Sequence, residues 1–210
     1  MASRLLYVMD PMCSWCWGFA PVAEALAEQA AAAGVPLQLV VGGLRRDQVA
    51  IDAAARVRYL GYWQAVNAST GQLFDFERGL PEGLVYDTEP ACRALVTARS
   101  LDAASAWPLL KLIQQAFYTE GVDVTQAGVL VQLAEQAGIP RIEFAEAFDS
   151  QAMVDATAAD FAWVQDLGIA GFPTLLAERD GQLALLTNGY QPLEALSPLL
   201  ERWLERAANA

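Results

Sequence analysis

The pattern of apolar and polar positions predicts that the chain opens with a strand, a helix and a second strand. Positions 4–9 and 36–41 form two nearly continuous apolar runs. Runs of this length are typical of strands that are covered on both faces. Between them, the Ala-rich segment over 14–33 has helical character and ends at Gly34, a residue that commonly ends helices. A strand, helix and strand in this order form a βαβ unit, whose two strands run parallel.

The middle of the chain shows a different pattern, in which helical periodicity replaces strand character. From Asp47 to Ser150 there is little strand character, and a less regular segment that contains glycine lies over 69–88. Helices are predicted over 51–67, 89–101, 103–119, 125–137 and 141–148. About a hundred residues of this kind predict a helical bundle or cap.

The C-terminal part returns to a mixed pattern. Asp180-Gly181 separates two short apolar runs and is a strong hairpin signal. The predicted elements are a helix over 153–167, strands over 173–178 and 183–187, and a final helix over 193–207. The order along the chain is therefore β-α-β, a helical insertion, and α-β-β-α.

This order predicts an α/β fold built from both ends of the chain. Residues 1–47 and 150–210 are expected to form one domain, and residues 48–149 an inserted helical domain. The chain has 210 residues and is 55% apolar, which is enough for a substantial core and too apolar for a disordered protein.

Charge and apolar run lengths exclude two classes of function. The formal net charge is −12, Lys111 is the only lysine, and no basic cluster is present, so nucleic-acid binding is not expected. No apolar run approaches the length of a membrane span, and no leader pattern is visible near the start. We therefore expect a cytoplasmic protein that does not interact with membranes.

The segment Cys13-Ser14-Trp15-Cys16 carries the most specific chemistry, because it lies where the first predicted helix begins. Two thiols at this spacing can form a small disulfide or stay reduced, and the positive end of a helix favours a thiolate. Cys13 is expected to be the exposed nucleophile. Cys16, one turn later, is expected to be more buried and to resolve the mixed disulfide.

Two other interpretations of the cysteine pair are an inert pair and half of a zinc site. A structural zinc site normally needs four ligands. The chain has no histidine and three cysteines in all, so zinc would need a second chain or carboxylates. We expect no metal. In a reducing compartment, a redox-active pair is the favoured interpretation.

Other conspicuous side chains are expected to belong to the core. Cys92 lies among apolar neighbours and is expected to be a small buried hydrophobe, with a third redox thiol as the alternative. Tyr59, Tyr62 and Trp63 are expected in the core of the helical domain. The alternative is that they line a groove between the two domains, where ligand sites are common.

The element order and several local motifs together resemble the DsbA-like family of thioredoxin-fold proteins. Pro21 stands at the offset from Cys16 where such proteins place a helix-kinking proline. Residues 171–174, Gly-Phe-Pro-Thr, precede a strand where the family has its cis-proline loop. Residues 10–18 and 121–125 resemble the cytoplasmic members described as protein-disulfide isomerases. The resemblance covers essentially the whole chain.

The resemblance implies a thioredoxin-like fold with an inserted helical domain, and thiol–disulfide exchange on protein or peptide substrates. Cys13 and Cys16 would be the catalytic pair. Pro173 would be cis, which leaves Phe172 free to pair with an extended substrate; a trans proline at a strand start is the alternative. No bound cofactor is needed, and glutathione or a thioredoxin system could supply electrons. The oligomeric state stays open.

An apolar rim around the cysteines is expected to bind substrate, since exposed apolar patches usually bind something. The side chains of this rim are Met12, Trp15, Trp17, Phe19 and Phe172. Among them, Trp15 is expected to be the most exposed, because it lies between the two cysteines on the first turn.

The chain departs from the family pattern in two ways. The dipeptide between the cysteines is Ser14-Trp15, where periplasmic DsbA has Pro-His. Thioredoxin-like sites often hold a buried acid on the first strand, but residues 5–9 contain none. Asp10 and Glu24 are the nearest acids, and neither is assigned this role.

Two alternative functions remain. One is a glutathione-dependent isomerase or transferase related to the kappa-class glutathione transferases, which commonly have a serine where Cys13 stands. The other is a non-enzymatic adaptor that binds peptides through the apolar rim.

Overall fold

The structure, a computed structural model, describes residues 3–208, with side chains described over residues 3–205. The strands are β1 (Ser3–Met9), β2 (Leu37–Val41), β3 (Arg46–Ala50), β4 (Val85–Asp87), β5 (Thr174–Arg179) and β6 (Gln182–Asn188). The helices are α1 (Ser14–Ala32), α2 (Ala53–Thr70), α3 (Glu89–Leu101), α4 (Ala106–Glu120), α5 (Ala127–Gln136), α6 (Arg141–Phe148), α7 (Gln151–Asp166) and α8 (Leu193–Ala208). A short 3-10 helix, Ala103–Ser105, precedes α4.

The main sheet has four strands in the order β2-β1-β5-β6. β1 and β2 pair in parallel around the crossover helix α1, which confirms the predicted βαβ unit. β5 pairs antiparallel with β1, and β5 and β6 form the predicted hairpin. The mixed α/β class and the order of the elements that form the main sheet are therefore confirmed, with element boundaries that differ from the predicted ones by a few residues.

Both faces of β1 are buried, which explains its continuous apolar run. Alternate residues from Leu5 to Met9 belong to the main core, which includes side chains of α1 and α8. Leu6 and Val8 point to the opposite face and join a smaller cluster with Val164 of α7. The end of β1 is therefore held firmly from both sides, and the segment that follows it starts from a fixed position.

The interval that was predicted to be almost entirely helical contains a small second sheet. β3 and β4 pair antiparallel, with Arg46 opposite Asp87 and Ala50 opposite Val85. The sequence pattern did not reveal β3 because most of its side chains are exposed and polar, so it lacks the alternation that marks a half-buried strand.

The main core is continuous between the two predicted domains. One cluster of buried side chains contains Phe19 of α1 and Phe117 of α4 together. Trp63 of α2 packs edge-on against Phe117, with ring centroids 5.7 Å apart. The division of the chain at residues 48 and 149 stays a prediction.

A partly buried ion pair covers the open edge of the main sheet. Arg99 of α3 donates to the Leu39 carbonyl of β2 at 2.6 Å and to Asp160 of α7 at 2.9 Å. The same carboxylate accepts a hydrogen bond from the Val41 N–H at 3.0 Å. Since β2 lies at the sheet edge, these bonds satisfy backbone groups that would otherwise be unpaired, and they fasten α3 and α7 to the sheet.

Replacing Arg99 by Leu is expected to lower the free energy of unfolding by about 2–4 kcal/mol, because it leaves the Asp160 carboxylate and the Leu39 carbonyl short of partners in a mostly buried place. Urea denaturation followed by circular dichroism measures this loss. Arg141→Leu is the control, since Arg141 and Glu135 form a pair that is more than half exposed (56% and 53%). Its removal should cost at most about 1 kcal/mol. Equal losses in both variants would contradict the assigned role of Arg99.

Candidate active site

The cysteine pair lies at the junction between β1 and α1. Cys13 is the N-cap residue of α1, with extended backbone angles, and its N–H donates to the Asp10 carbonyl at 3.1 Å. The Cys13 carbonyl accepts the first helical hydrogen bond, from Trp17, at 3.1 Å. The Cys13 thiol therefore stands at the end of the helix where N–H groups are free and the dipole is positive.

Both thiols are free, and Cys13 is more buried than the sequence suggested. Cys13 was expected to be exposed, but only 6% of it is accessible, while Cys16 is 0% exposed. The expected order, with Cys16 the more buried, is found. Burial, followed by a hydrogen bond to Cys13 and by that thiol's charge, raises the pKa of the Cys16 thiol well above its ordinary value. Cys16 therefore stays protonated near neutral pH until it is used.

The loop before β5 completes the site from a distant part of the chain. The peptide bond between Phe172 and Pro173 is cis. The Cys13 thiol donates to the Phe172 carbonyl, with Sγ and O 3.6 Å apart. The Phe172 ring packs over Gly42, where an added Cβ would lie 2.0 Å from the ring. Glycine is required at position 42 because the ring approaches the backbone so closely.

A cavity of about 350 Å³ opens beside Cys13. Its lining is mainly aromatic and comes from the segment 12–15, α2, β4 and the loops 44–45 and 172. The lining residues include Met12, Cys13, Trp15, Arg45, Tyr59, Tyr62, Trp63, Tyr86 and Phe172. The tyrosines and the tryptophan of α2 thus lie along a groove next to the thiols, which is the alternative that sequence analysis left open.

Arg45 supplies a cation to this aromatic cavity. Its guanidinium lies 5.0 Å from the ring centroid of Tyr59 and 5.4 Å from that of Tyr86. It also pairs with Asp47 at 2.7 Å. The cavity therefore combines apolar walls with a positive group that can attract an anion.

The expected apolar rim is smaller than the sequence suggested. Met12 and Phe19 are fully buried, although Met12 lies at the wall of the cavity, and its part in substrate binding stays a prediction. Met12 is held inside because its carbonyl accepts a 2.7 Å hydrogen bond from the Tyr86 hydroxyl. Trp15 is partly exposed, and its ring lies 5.9 Å from that of Tyr190.

Asp10, which sequence analysis did not assign, is fully buried next to the pair. Its carboxylate accepts hydrogen bonds from the N–H groups of Met12 (2.8 Å) and Leu44 (2.7 Å), the hydroxyl of Thr88 (2.6 Å) and the thiol of Cys92 (3.4 Å). Burial raises the pKa of Asp10, and these hydrogen bonds partly offset the rise. The sequence feature that could have identified Asp10 as a site residue is its position, directly after the buried first strand and before Pro11.

Cys92 is fully buried, as expected for a small hydrophobe, but its thiol also serves as a hydrogen-bond donor to Asp10. Burial, together with the Asp10 charge, raises the pKa of Cys92 well above the ordinary value for a thiol. A protonated, inaccessible thiol is a poor nucleophile. Over residues 3–208, no group of three or more His, Cys, Asp or Glu side chains could hold a metal ion.

A thioredoxin-type sheet with two free cysteines at Cys-x-x-Cys spacing beside a cis-proline loop is typical of thioredoxin-fold oxidoreductases. The profile of the DSBA-like thioredoxin domain matches residues 4–201. The chain therefore belongs to the DsbA-like thioredoxin family, as the resemblance in the sequence indicated.

Solved structures with the same fold support this assignment. An inferred protein disulfide isomerase from Nitrosomonas europaea is 40% identical, with a TM-score of 0.90 over 98% of this chain and 99% of that one. The cytosolic disulfide reductase DsbM from Pseudomonas aeruginosa, solved with GSH, is 28% identical, with a TM-score of 0.77 over 99% and 100% of the two chains. A 2-hydroxychromene-2-carboxylate isomerase shares the fold at 15% identity and a TM-score of 0.64, covering 98% of each chain. No curated protein matches the sequence.

Along the part of the chain that the structure describes, none of the helices is both long and apolar enough to cross a bilayer.

Proposed function

We propose that this protein is a thiol–disulfide oxidoreductase that acts on protein or peptide disulfides through Cys13 and Cys16. The observation that carries the proposal is the position of the Cys13 thiol. It lies at the N-terminus of α1, faces the carbonyl that precedes Pro173, and lines a cavity open to a ligand. A nucleophilic thiol needs this combination of helix-end electrostatics and an approach route.

In the reducing direction, the Cys13 thiolate attacks one sulfur of the substrate disulfide and forms a mixed disulfide. The other substrate sulfur leaves as a thiolate and takes up a proton. Cys16 then loses its proton and attacks the Cys13 sulfur, which releases the second substrate thiol. Two electrons pass to the substrate, and a Cys13–Cys16 disulfide remains in the protein. Two molecules of a reducing thiol restore the dithiol.

Glutathione is the reducing thiol that we propose. Arg45 can attract one of its carboxylates at the cavity wall, and the aromatic side chains of Tyr59 and Tyr86 cover its apolar surface. The solved complex of the DsbM relative with GSH supports this choice, and the cytosolic location of DsbM supports a cytoplasmic role. The same relative favours the reducing direction.

The test is turnover of a peptide disulfide with glutathione, followed through glutathione reductase and NADPH consumption. Cys13→Ser is expected to lose activity by on the order of 100-fold or more, because no other accessible thiol can attack. Cys92→Ser, the same substitution at a buried thiol, should keep activity within about threefold. Undiminished turnover in the Cys13→Ser variant would contradict the proposed function.

Trp15→Ala tests whether the partly exposed indole binds the peptide around the substrate disulfide. We expect the KM for a peptide disulfide to rise about five- to tenfold, since a lost aromatic contact is worth about 1–1.5 kcal/mol. The rate with a small disulfide that cannot reach Trp15 should stay the same. If KM does not change, Trp15 is not part of the docking surface. If Trp15→Ala abolishes cellular function while Cys13→Ser does not, the adaptor hypothesis is favoured instead.

A further inference from the structure

The buried carboxylate of Asp10 connects two segments that line the active-site cavity. Its Oδ1 accepts a hydrogen bond from the Met12 N–H at 2.8 Å, and its Oδ2 accepts one from the Leu44 N–H at 2.7 Å. Met12 directly precedes Cys13, Leu44 directly precedes Arg45, and all four residues line the cavity. The two oxygens of one carboxylate therefore hold the segment with the nucleophilic thiol and the segment with the cation against each other.

Thr88 extends this connection to the backbone of Arg45. Its hydroxyl donates to Asp10 Oδ2 at 2.6 Å and accepts a hydrogen bond from the Arg45 N–H at 3.3 Å. The Thr88 N–H donates to the Arg45 carbonyl at 2.9 Å. Both backbone groups of Arg45 thus bind to one fully buried threonine, which is the N-cap residue of α3. The place of Arg45 in the cavity wall depends on this threonine and on the carboxylate behind it.

Tyr86 forms a second link between the same two segments. Its hydroxyl donates to the Met12 carbonyl at 2.7 Å, and its ring centroid lies 5.4 Å from the Arg45 guanidinium. Tyr86 is almost fully buried, so it has little freedom to move. Together with Asp10 and Thr88, it fixes the arginine relative to the residue directly before Cys13.

The Arg45 side chain is held in a way that leaves one nitrogen available. Asp47 accepts hydrogen bonds from Nε at 3.1 Å and from Nη2 at 2.7 Å, and the rings of Tyr59 and Tyr86 pack against the guanidinium. Among the described residues, Nη1 has no hydrogen-bond partner, and 33% of the side chain is exposed. An arginine N–H in this position is suited to bind a carboxylate.

We propose that Asp10 and Thr88 are positioning residues for Arg45. By fixing the guanidinium relative to the Cys13 thiol, they make the protein prefer disulfides that carry a carboxylate close to the sulfur. The inference rests on the proposed function and narrows its substrate class. While Arg45 binds the carboxylate, Cys13 attacks the neighbouring sulfur, and a small displacement of the cation weakens both contacts together.

A matched pair of small disulfides tests this preference. Dithiodipropionate carries a carboxylate on each half, and its diamide has the same shape without charge. Each is mixed with the reduced protein in a stopped-flow instrument, and tryptophan fluorescence follows the reaction, since Trp15 lies between the two cysteines. The measured quantity is the ratio of the two second-order rate constants, acid over amide.

Thr88→Val keeps the shape of the side chain and removes the hydroxyl that joins Asp10 to Arg45. We expect the ratio to fall about three- to fivefold, because the cation is no longer fixed. The substitution does not change the net charge, so general electrostatic attraction cannot account for a fall. Thr88→Ser, which restores the hydroxyl, should keep the ratio within about twofold of the parent.

Thr97→Val is the matched control, because Thr97 is also fully buried but its hydroxyl bonds only within α3, to the Arg93 carbonyl at 2.8 Å. Its ratio should match that of the parent. An unchanged ratio in Thr88→Val, or an equal fall in both variants, overturns the inference. A parent protein that reduces neither disulfide would instead contradict the proposed function.

A double-mutant cycle with Arg45→Gln shows whether Thr88 acts through the arginine. Arg45→Gln alone should lower the ratio about five- to tenfold, and adding Thr88→Val should then lower it no further. A second fall of the same size would mean that Thr88 acts without Arg45, which overturns the inference. If Thr88→Val does not fold, Asp10→Asn gives the same test, because one amide oxygen cannot accept on both sides. Its ratio should also fall about three- to fivefold, and an unchanged ratio would contradict the positioning role.

Discussion

Cys16→Ser should lower turnover of a peptide disulfide with glutathione by on the order of 100-fold or more, because glutathione must then resolve the mixed disulfide in an intermolecular step. In the absence of glutathione, the variant should leave substrate covalently bound to Cys13. The Cys13 thiolate can still attack, because its position at the start of α1 does not depend on Cys16. The mixed disulfide then has no neighbouring thiol to resolve it. Non-reducing electrophoresis and mass spectrometry of the trapped species would identify the substrates.

The same variant separates the two enzymatic hypotheses. A glutathione-dependent isomerase of the kappa-class type does not need a second thiol, so isomerase activity would survive in Cys16→Ser. Cys92→Ser is the control, since it changes a fully buried cysteine of α3 that is not part of the Cys-x-x-Cys pair. Normal disulfide reduction without Cys16, with no trapped adduct, would contradict the two-thiol mechanism.

The parts of the fold that sequence analysis predicted correctly depend on local patterns. The two apolar runs and the Ala-rich segment between them gave the βαβ unit, and Asp180-Gly181 gave the hairpin of β5 and β6. The Cys-x-x-Cys pair lies at a helix start because a buried strand and Pro11 precede it. Each of these signals is complete within about twenty residues, so none needs knowledge of distant contacts.

The parts that the sequence did not reveal depend on long-range contacts. Asp10 is buried because its partners Leu44 and Thr88 lie 34 and 78 positions away along the chain. Cys13 is nearly inaccessible because the loop at Phe172, 159 positions away, packs beside it. The aromatic side chains of α2 gave an ambiguous signal, since core residues and the walls of a groove show the same apolar periodicity.

The Asp10 network is expected to be the largest single contribution of the site to stability. Asp10→Ala leaves two N–H groups, a hydroxyl and a thiol without their acceptor inside the protein, and should lower the free energy of unfolding by about 3–5 kcal/mol. Thermal and urea unfolding measure the loss. Asp75→Ala is the control: Asp75 also accepts from two backbone N–H groups, at 3.0 and 2.9 Å, but 27% of its side chain is exposed. Its loss should be about 1 kcal/mol. Similar losses for both variants would contradict the special role of Asp10.

The pH dependence of stability distinguishes the charge of Asp10 from its hydrogen bonds. Its pKa in the folded protein is raised above 3.8, so the folded state holds the proton more tightly than the unfolded state. The contribution of this raised pKa to the free energy of unfolding is fully present below pH 3.8. It is lost as the pH rises through the pKa of Asp10 in the folded protein. Asp10→Asn cannot titrate at this position. The stability of the parent relative to Asp10→Asn should therefore fall with rising pH in that window, by up to about 1.4 kcal/mol per pH unit. A difference that stays constant or grows with pH would mean that the carboxylate is ionised in the folded protein without cost, because its four donors compensate fully for its burial.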